Sequence, residues 1–236
     1  MGLEKIDYVI MSNMMTEKMK VIVFDTETTG LPTERNPSIT QPWKWPHIVQ
    51  ISYVLYDTES RKMLACQDHI IKVNDDVEIT KRSQEIHGIT PSRCKRKGVD
   101  INIALDDFNS TLRQADVAIA HNVSFDKRMI MVESIRNKRA QHFTVNGCRK
   151  KEFCTMKQST QLCKIEVTGK EGDKYFKYPT LTELHKELFG IAPNNVHDSM
   201  ADVLICLRCY AKHKHEHDIT KQGCRAIGNI CKLYRI

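Results

Sequence analysis

Two acidic residues two positions apart, Asp25 and Glu27, close the apolar run of VIVFDTETTG (residues 21–30), and this pairing constrains the chain more than any other feature. Val21 to Phe24 is β-branched and aromatic, so it reads as a buried strand. Side chains two apart on a strand project to one face. Both carboxylates therefore point the same way, where the chain turns at Thr28-Thr29-Gly30. Holding two like charges together at such a place is costly unless something positive sits between them. Hard oxygen donors suit Mg²⁺ or Mn²⁺. A strand end with two solvated acids is the alternative these residues leave open.

Two further segments carry acids in comparable settings. In AIAHNVSFDKRMI (residues 118–130) a short buried strand over 117–120 is followed by helical spacing from Ser124. Asp126 falls in the first turn of that helix, where the partial positive charge of the N-terminus favours a carboxylate. Simple complementation of the helix dipole would explain it equally well. In NNVHDSMADVLICLRCY (residues 194–210), Val203, Leu204 and Leu207 form an apolar stripe, Asp198 is a natural N-cap, and Asp202 sits about one turn in. His197 precedes the helix on a loop and can converge with Asp202 only by straddling that boundary. Four carboxylates from three segments form a coherent set. Asp25, Glu27, Asp126 and Asp202 could hold two cations roughly 4 Å apart and clamp the attacking and leaving oxygens of a phosphodiester. His197 could take the proton of the attacking water, a task suited to imidazole near neutrality.

These segments resemble the three exonuclease motifs of the DEDD superfamily, the DnaQ-like 3′–5′ exonucleases, in the branch with a histidine in its third motif. FDTETTG carries Asp25 and Glu27, HNVSFD carries Asp126, and HDSMAD carries His197 and Asp202. IHGIT at 86–90 is similar to the linker between the first two motifs in proofreading-type members. The similarity spans residues 18–212 and lacks no catalytic position. It implies a ribonuclease H-like fold, two Mg²⁺ (or Mn²⁺) ions as cofactors, and hydrolysis that releases nucleoside 5′-monophosphates from a free 3′ end. It also implies metal-ligand roles for Asp25, Glu27, Asp126 and Asp202, with His197 as general base. Thr26 and Thr28 would contact the terminal nucleotide, Leu31 would wedge against its base, and His87, Asn122 and Phe125 would line the pocket for the 3′ end. DNA is the expected substrate, with RNA trimming by the same chemistry as the alternative. A proofreading role would require a separate polymerase or another replication or repair protein. A non-catalytic nucleic-acid-binding scaffold is the remaining alternative, disfavoured because all five site residues are present.

Composition agrees with a nucleic-acid partner. A net charge of +7 favours a polyanion. Basic residues cluster at Arg93–Lys97, Arg136–Arg139 and Arg149–Lys151, each of which could track phosphates or be a solvated face. Trp43 and Trp45 could stack on bases or anchor their Pro-rich connector. Nine cysteines, an odd count, and the lack of any signal-peptide or membrane-length apolar run lead us to expect an intracellular protein (cytoplasm or nucleus, or the cytoplasm of a bacterium or infected host cell) with reduced thiols and no membrane partner. Cys206 and Cys209 with His213 hint at zinc, but no second ligand pair follows, and packing is the expected role.

The pattern predicts a disordered leader over 1–17, an exonuclease domain over 18–213 and a C-terminal extension over 214–236, as an extra helix, a tether or a frayed end. Strands are expected at 20–26, 47–57 and 64–73, and helices at 79–87 and 101–114. A strand near 117 and a helix from 124 follow. Next come a short strand ending near Thr155, a helix to 163, an exposed hairpin or loop at 164–178, and a short amphipathic helix from 180 closed by Gly190. The expected fold class is α/β, a mixed sheet flanked by helices on both faces.

Overall fold

The computed structural model describes residues 18–194 and 196–236, so the leader expected over 1–17 lies outside the described residues. The chain opens with β1 (Lys20–Thr28), β2 (Ile48–Asp57) and β3 (Lys62–Ile70), an antiparallel meander. Helices α1 (Lys81–His87), α2 (Pro91–Lys97) and α3 (Ile101–Gln114) lead to β4 (Val117–Ala120) and α4 (Val123–Arg136). A small ribbon, β5 (Thr144–Val145) and β6 (Cys148–Arg149), precedes β7 (Lys151–Cys154), α5 (Thr155–Gln158) and α6 (Thr160–Cys163). A second ribbon, β8 (Glu166–Thr168) and β9 (Lys174–Phe176), leads to α7 (Leu181–Phe189), α8 (Ser199–His215), α9 (Ile219–Gln222) and α10 (Arg225–Leu233). The main sheet has the order β3-β2-β1-β4-β7, with β4 and β7 parallel to β1.

The alternation of β1 decides which core each residue joins. Ile22 and Phe24 face α3 and α4, where Phe24 meets Phe108 edge-on at 5.3 Å and Phe143 at 5.9 Å. Val21 and Val23 face the other way, against Val203, Leu204 and Leu207 of α8. By the same parity Asp25 and Glu27 belong to the α8 face, whereas Thr26 belongs to the α4 face. A register shift between Glu27 and Thr28 marks an irregularity at the end of β1, the kind of device that re-aims side chains beside a site.

The chain beyond residue 213 is folded onto the sheet. Ile219, Ile227 and Cys231 are fully buried in the α8-side core. The Tyr56 hydroxyl meets His217 Nε2 at 2.9 Å. Arg208 of α8 binds Asp218 through two bonds of 2.9 and 2.8 Å and stacks over Phe189 at 4.0 Å.

Several expectations change at the level of single residues. The basic run Arg93–Lys97 lies within helix α2, which Thr90 caps and in whose first turn Pro91 sits. Arg136 was grouped with a basic run, but its guanidinium is bound to the carbonyls of Pro42, Trp45 and Pro46 and to Glu133, so it holds the connector before β2. Trp45 is buried and donates to the Ser38 carbonyl at 3.1 Å, while Trp43 stands in solvent. Cys206 and Cys209 fall in different apolar clusters, which is packing and not a paired ligand set. Among the described residues no helix is long and apolar enough to cross a membrane.

Candidate active site

Parallel pairing of β1 and β4 brings their C-terminal ends to one edge, the place where open α/β sheets present ligand sites. Asp25 and Glu27 end β1 there, and Asp202 reaches them from the first turn of α8. Carboxylate oxygens of these three residues lie within 4.8 Å of one another. Helix α8 is set against β1 by Ser199, whose hydroxyl donates to the Asp25 carbonyl at 3.1 Å. Asp198 caps the helix through the Ala201 N–H.

The electrostatics of the trio are unfavourable as they stand. Burial, with Asp198 nearby, pushes the Asp25 carboxyl up to about 6. Burial and the neighbouring Asp25 raise Asp202 to about 8, and burial with Asp25, Asp202 and Asp126 around it raises Glu27 to about 9. Asp202 Oδ1 is buried without a hydrogen-bond partner. A buried acceptor without a donor and three mutually repelling acids are the signature expected of residues that would hold a divalent cation. The donor set is all oxygen, which fits Mg²⁺ or Mn²⁺ better than a softer metal.

Asp126 comes to the site from the opposite face of the sheet. It lies in the first turn of α4, and its Oδ1 accepts from the Thr26 N–H at 3.0 Å and the Thr26 hydroxyl at 2.8 Å. Burial and the Asp25 charge raise its carboxyl well above the usual range. It stands outside the trio of Asp25, Glu27 and Asp202. The Thr26 hydroxyl is thereby committed to Asp126. Thr26→Val removes that donor and leaves Asp126 Oδ1 with the backbone N–H alone. The expected cost is about 1–3 kcal/mol, with a several-fold fall in turnover, read by thermal melting and by initial rates.

His197 sits in the left-handed region at φ 73°, and its backbone N–H donates to Asp202 Oδ2 at 3.2 Å. Its side chain joins Asp25, Asp202, His121, Met156 and Tyr178 around an open cavity of about 350 Å³. His121 was not singled out from the sequence. It links β4 to the segment before α7, since Nε2 donates to the Pro179 carbonyl at 3.0 Å and Nδ1 lies 2.9 Å from the Thr155 hydroxyl. Burial lowers its pKa to about 4, so it is a neutral strut. Its place after the strand in AIAHN was the only available signal.

The remaining candidate residues divide into two groups. Asn122 (φ 74°) and Phe125 line a second cavity of about 150 Å³ with Pro32, Trp45 and Arg128. Leu31 is 81% exposed. By contrast, the Thr28 hydroxyl donates to the Gly30 carbonyl at 2.7 Å. His87 is buried, with Nδ1 accepting from the Ile89 N–H and Nε2 donating to the Thr28 carbonyl. Nε2 thus braces the end of β1 at Thr28, and Nδ1 holds the turn that follows α1.

The family model described as exonuclease matches residues 22–210, the span that contains every candidate site residue. No curated protein matches the chain by sequence. Among solved structures, E. coli exonuclease I with a dA16 oligonucleotide superposes with a TM-score of 0.61 at 18% identity, over 84% of this chain and 41% of that one. E. coli exonuclease I with a dT13 oligonucleotide gives 0.62 at 17%, over 84% and 42%. An apo exonuclease I gives 0.61 at 16%, over 93% and 46%. The chain thus spans less than half the length of these exonuclease I chains, and the likeness shows a shared ribonuclease H-like fold. With a family match across most of its length and an acidic cluster at the C-terminal edge of its sheet, the chain belongs to the exonuclease family.

Proposed function

We propose that the protein is a metal-dependent 3′–5′ exonuclease that releases nucleoside 5′-monophosphates, with single-stranded DNA as its preferred substrate. The observation that carries this reading is the convergence of Asp25, Glu27 and Asp202 within 4.8 Å, with Asp202 Oδ1 buried and without a partner. Those three carboxylates are the residues that would hold the cations, and Asp126 would contribute through Oδ2 because Oδ1 is bound to Thr26. When bound, divalent cations supply Lewis acidity toward the phosphoryl oxygens and neutralise charge at the scissile phosphodiester.

The chain's own residues supply the rest. His197, beside Asp202 on the cavity wall, would accept the proton of the attacking water. Asn122 and Phe125, with the exposed Leu31, would hold the terminal nucleotide in the smaller cavity. Thr28 and His87 would act by shaping the turn behind that nucleotide. In-line attack then yields a nucleoside 5′-monophosphate and a shortened strand with a new 3′ hydroxyl.

The DNA preference is supported by the fold likeness to E. coli exonuclease I, described in complex with dA16 and dT13 oligonucleotides. RNA trimming by the same residues is the competing reading. A polymerase partner for proofreading is not needed for this chemistry. Two 5′-labelled oligonucleotides of equal sequence, one DNA and one RNA, incubated with Mg²⁺ or with EDTA, test the assignment. The expected result is a ladder shortening from the 3′ end, faster on DNA and abolished by EDTA and by His197→Ala. A faster ladder on RNA would overturn the DNA preference, and intact oligonucleotides in both Mg²⁺ and Mn²⁺ would overturn the hydrolase reading.

A further inference from the structure

The ribbon before α7 leaves its aromatic side chains uncovered. Tyr178 is 56% exposed and Tyr175 51% exposed, whereas Tyr53 and Tyr56 of the main sheet are essentially buried. Leaving aromatic surface in water forfeits the stabilisation its burial would give. The ribbon of β8 and β9 pairs with itself and not with the main sheet, and Tyr178 lies beyond its last strand residue, Phe176.

The backbone under Tyr178 is nevertheless fixed on both sides. Lys177 N donates to the Ile165 carbonyl, and Lys177 Nζ binds Glu183 at 2.6 and 2.8 Å. Pro179 is buried and its carbonyl is held by His121 at 3.0 Å. Thr180 begins α7 in a reciprocal cap with Glu183. Tyr178 is therefore an open ring on a clamped backbone, the preorganised arrangement that lowers the cost of binding. The ring also borders the cavity that holds Asp25, His197 and Asp202.

We propose that Tyr178 is a stacking platform for an unpaired base of the substrate strand on the 5′ side of the scissile bond. This inference rests on the hydrolase reading for what occupies the cavity. Continuity with the carboxylate cavity makes the substrate strand the occupant. The contact is made by rings more than by charge, because Lys174 and Lys177 are already paired with Glu166 and Glu183. Stacking needs a free base face, so the platform selects single strands over duplexes.

Fluorescence anisotropy in EDTA, which keeps hydrolysis off, tests the platform with a 5′-labelled oligodeoxythymidylate of about twenty nucleotides and a blunt duplex of similar length. Tyr178→Ala is expected to raise the single-strand Kd about tenfold, the loss of roughly one stacked base, and to leave the duplex Kd within about twofold. Tyr178→Phe keeps the ring and is expected to bind within about twofold of wild type. An unchanged single-strand Kd for Tyr178→Ala, an equal loss on both ligands, or a Tyr178→Phe defect as large as that of alanine would each overturn the proposal. Hydrolysis of the p-nitrophenyl ester of a nucleoside 5′-monophosphate, which has no upstream strand, is followed separately. Its failure in wild type counts against the hydrolase reading, while the binding difference judges the platform alone.

Discussion

Asp25→Asn is expected to lower hydrolysis by roughly a thousandfold or more, and at the same time to make the cation-free protein more stable. The first effect follows because a residue that would ligate the cation directly should exceed the 10- to 100-fold loss typical of outer partners. The second follows from the cluster's own repulsion: Asp25 is among the charges that raise Glu27, Asp202 and Asp126. Asparagine keeps the shape and removes a charge from the centre of that group.

Stability of the cation-free protein should therefore depend on pH. Asp202 titrates near 8 and Glu27 near 9 in the folded chain, against 3.8 and 4.5 for the free side chains. Between those limits the folded state binds more protons than the unfolded state, so stability falls as pH rises from about 4 toward 9. Melting in EDTA at acidic, neutral and alkaline pH should show the decline, amounting to several degrees for a loss of roughly 2 kcal/mol. Mg²⁺ should restore stability most at the alkaline end, because cation binding to the folded state replaces the missing protons. Asp25→Asn should flatten the profile. A wild-type melting temperature in EDTA that is independent of pH, or that rises with it, would contradict this description of the site.

Asp218→Ala is expected to cost about 3–5 kcal/mol, because it leaves the Arg208 guanidinium buried beside Phe189 with its anion removed. The other face of Arg208 offers no substitute. His185 donates from Nδ1 to the Ile191 carbonyl at 2.9 Å, and its Nε2 already accepts from Arg208 at 3.0 Å. The same carboxylate also caps α9 through Thr220, so one substitution loosens α7, α8 and the C-terminal helices together. A fall in melting temperature of roughly 10 °C should result. Glu166→Ala on the exposed β8–β9 ribbon should change stability by less than about 1 kcal/mol, as surface ion pairs do. Comparable effects from the two substitutions would show that the Arg208 network does not hold the C-terminal helices in place. Loosening also reaches the loop that carries His197, since Val196 and Ile236 pack against one apolar cluster of Leu184, Ile205 and Cys209, and Asn194 donates to the Arg235 carbonyl at 3.4 Å.

Much of this architecture could be read from the chain before its structure. The apolar run ending in Asp25 and Glu27 is both a strand and a pair of same-side acids, so element and site come from one pattern. The helix that begins after Asp198 was equally plain, because cap and stripe agree. What local pattern does not show is the sheet face from which each acid arrives. Asp126 could be assigned to a first helical turn, yet its bond to Thr26 joins residues 100 positions apart. Arg136 resembles any surface arginine until three connector carbonyls some ninety positions earlier close around it. Helix α2 was hidden because only Cys94 among its seven residues is buried, leaving no stripe behind the Thr90-Pro91 start signal. The C-terminal helices were ambiguous for a similar reason, as they are short and their buried Ile219, Ile227 and Cys231 gain meaning only against α8 and the sheet.

In the proposed function, this acidic edge hydrolyses nucleic acid from a free 3′ end. A 5′-labelled linear DNA strand and the same strand closed into a covalent circle, incubated with the protein and Mg²⁺, test it most directly. Progressive shortening of the linear strand from its 3′ end, release of nucleoside 5′-monophosphates, an intact circle, and no reaction in EDTA are expected. Cleavage of the circle, or release of the label ahead of any shortening from the 3′ end, would contradict it.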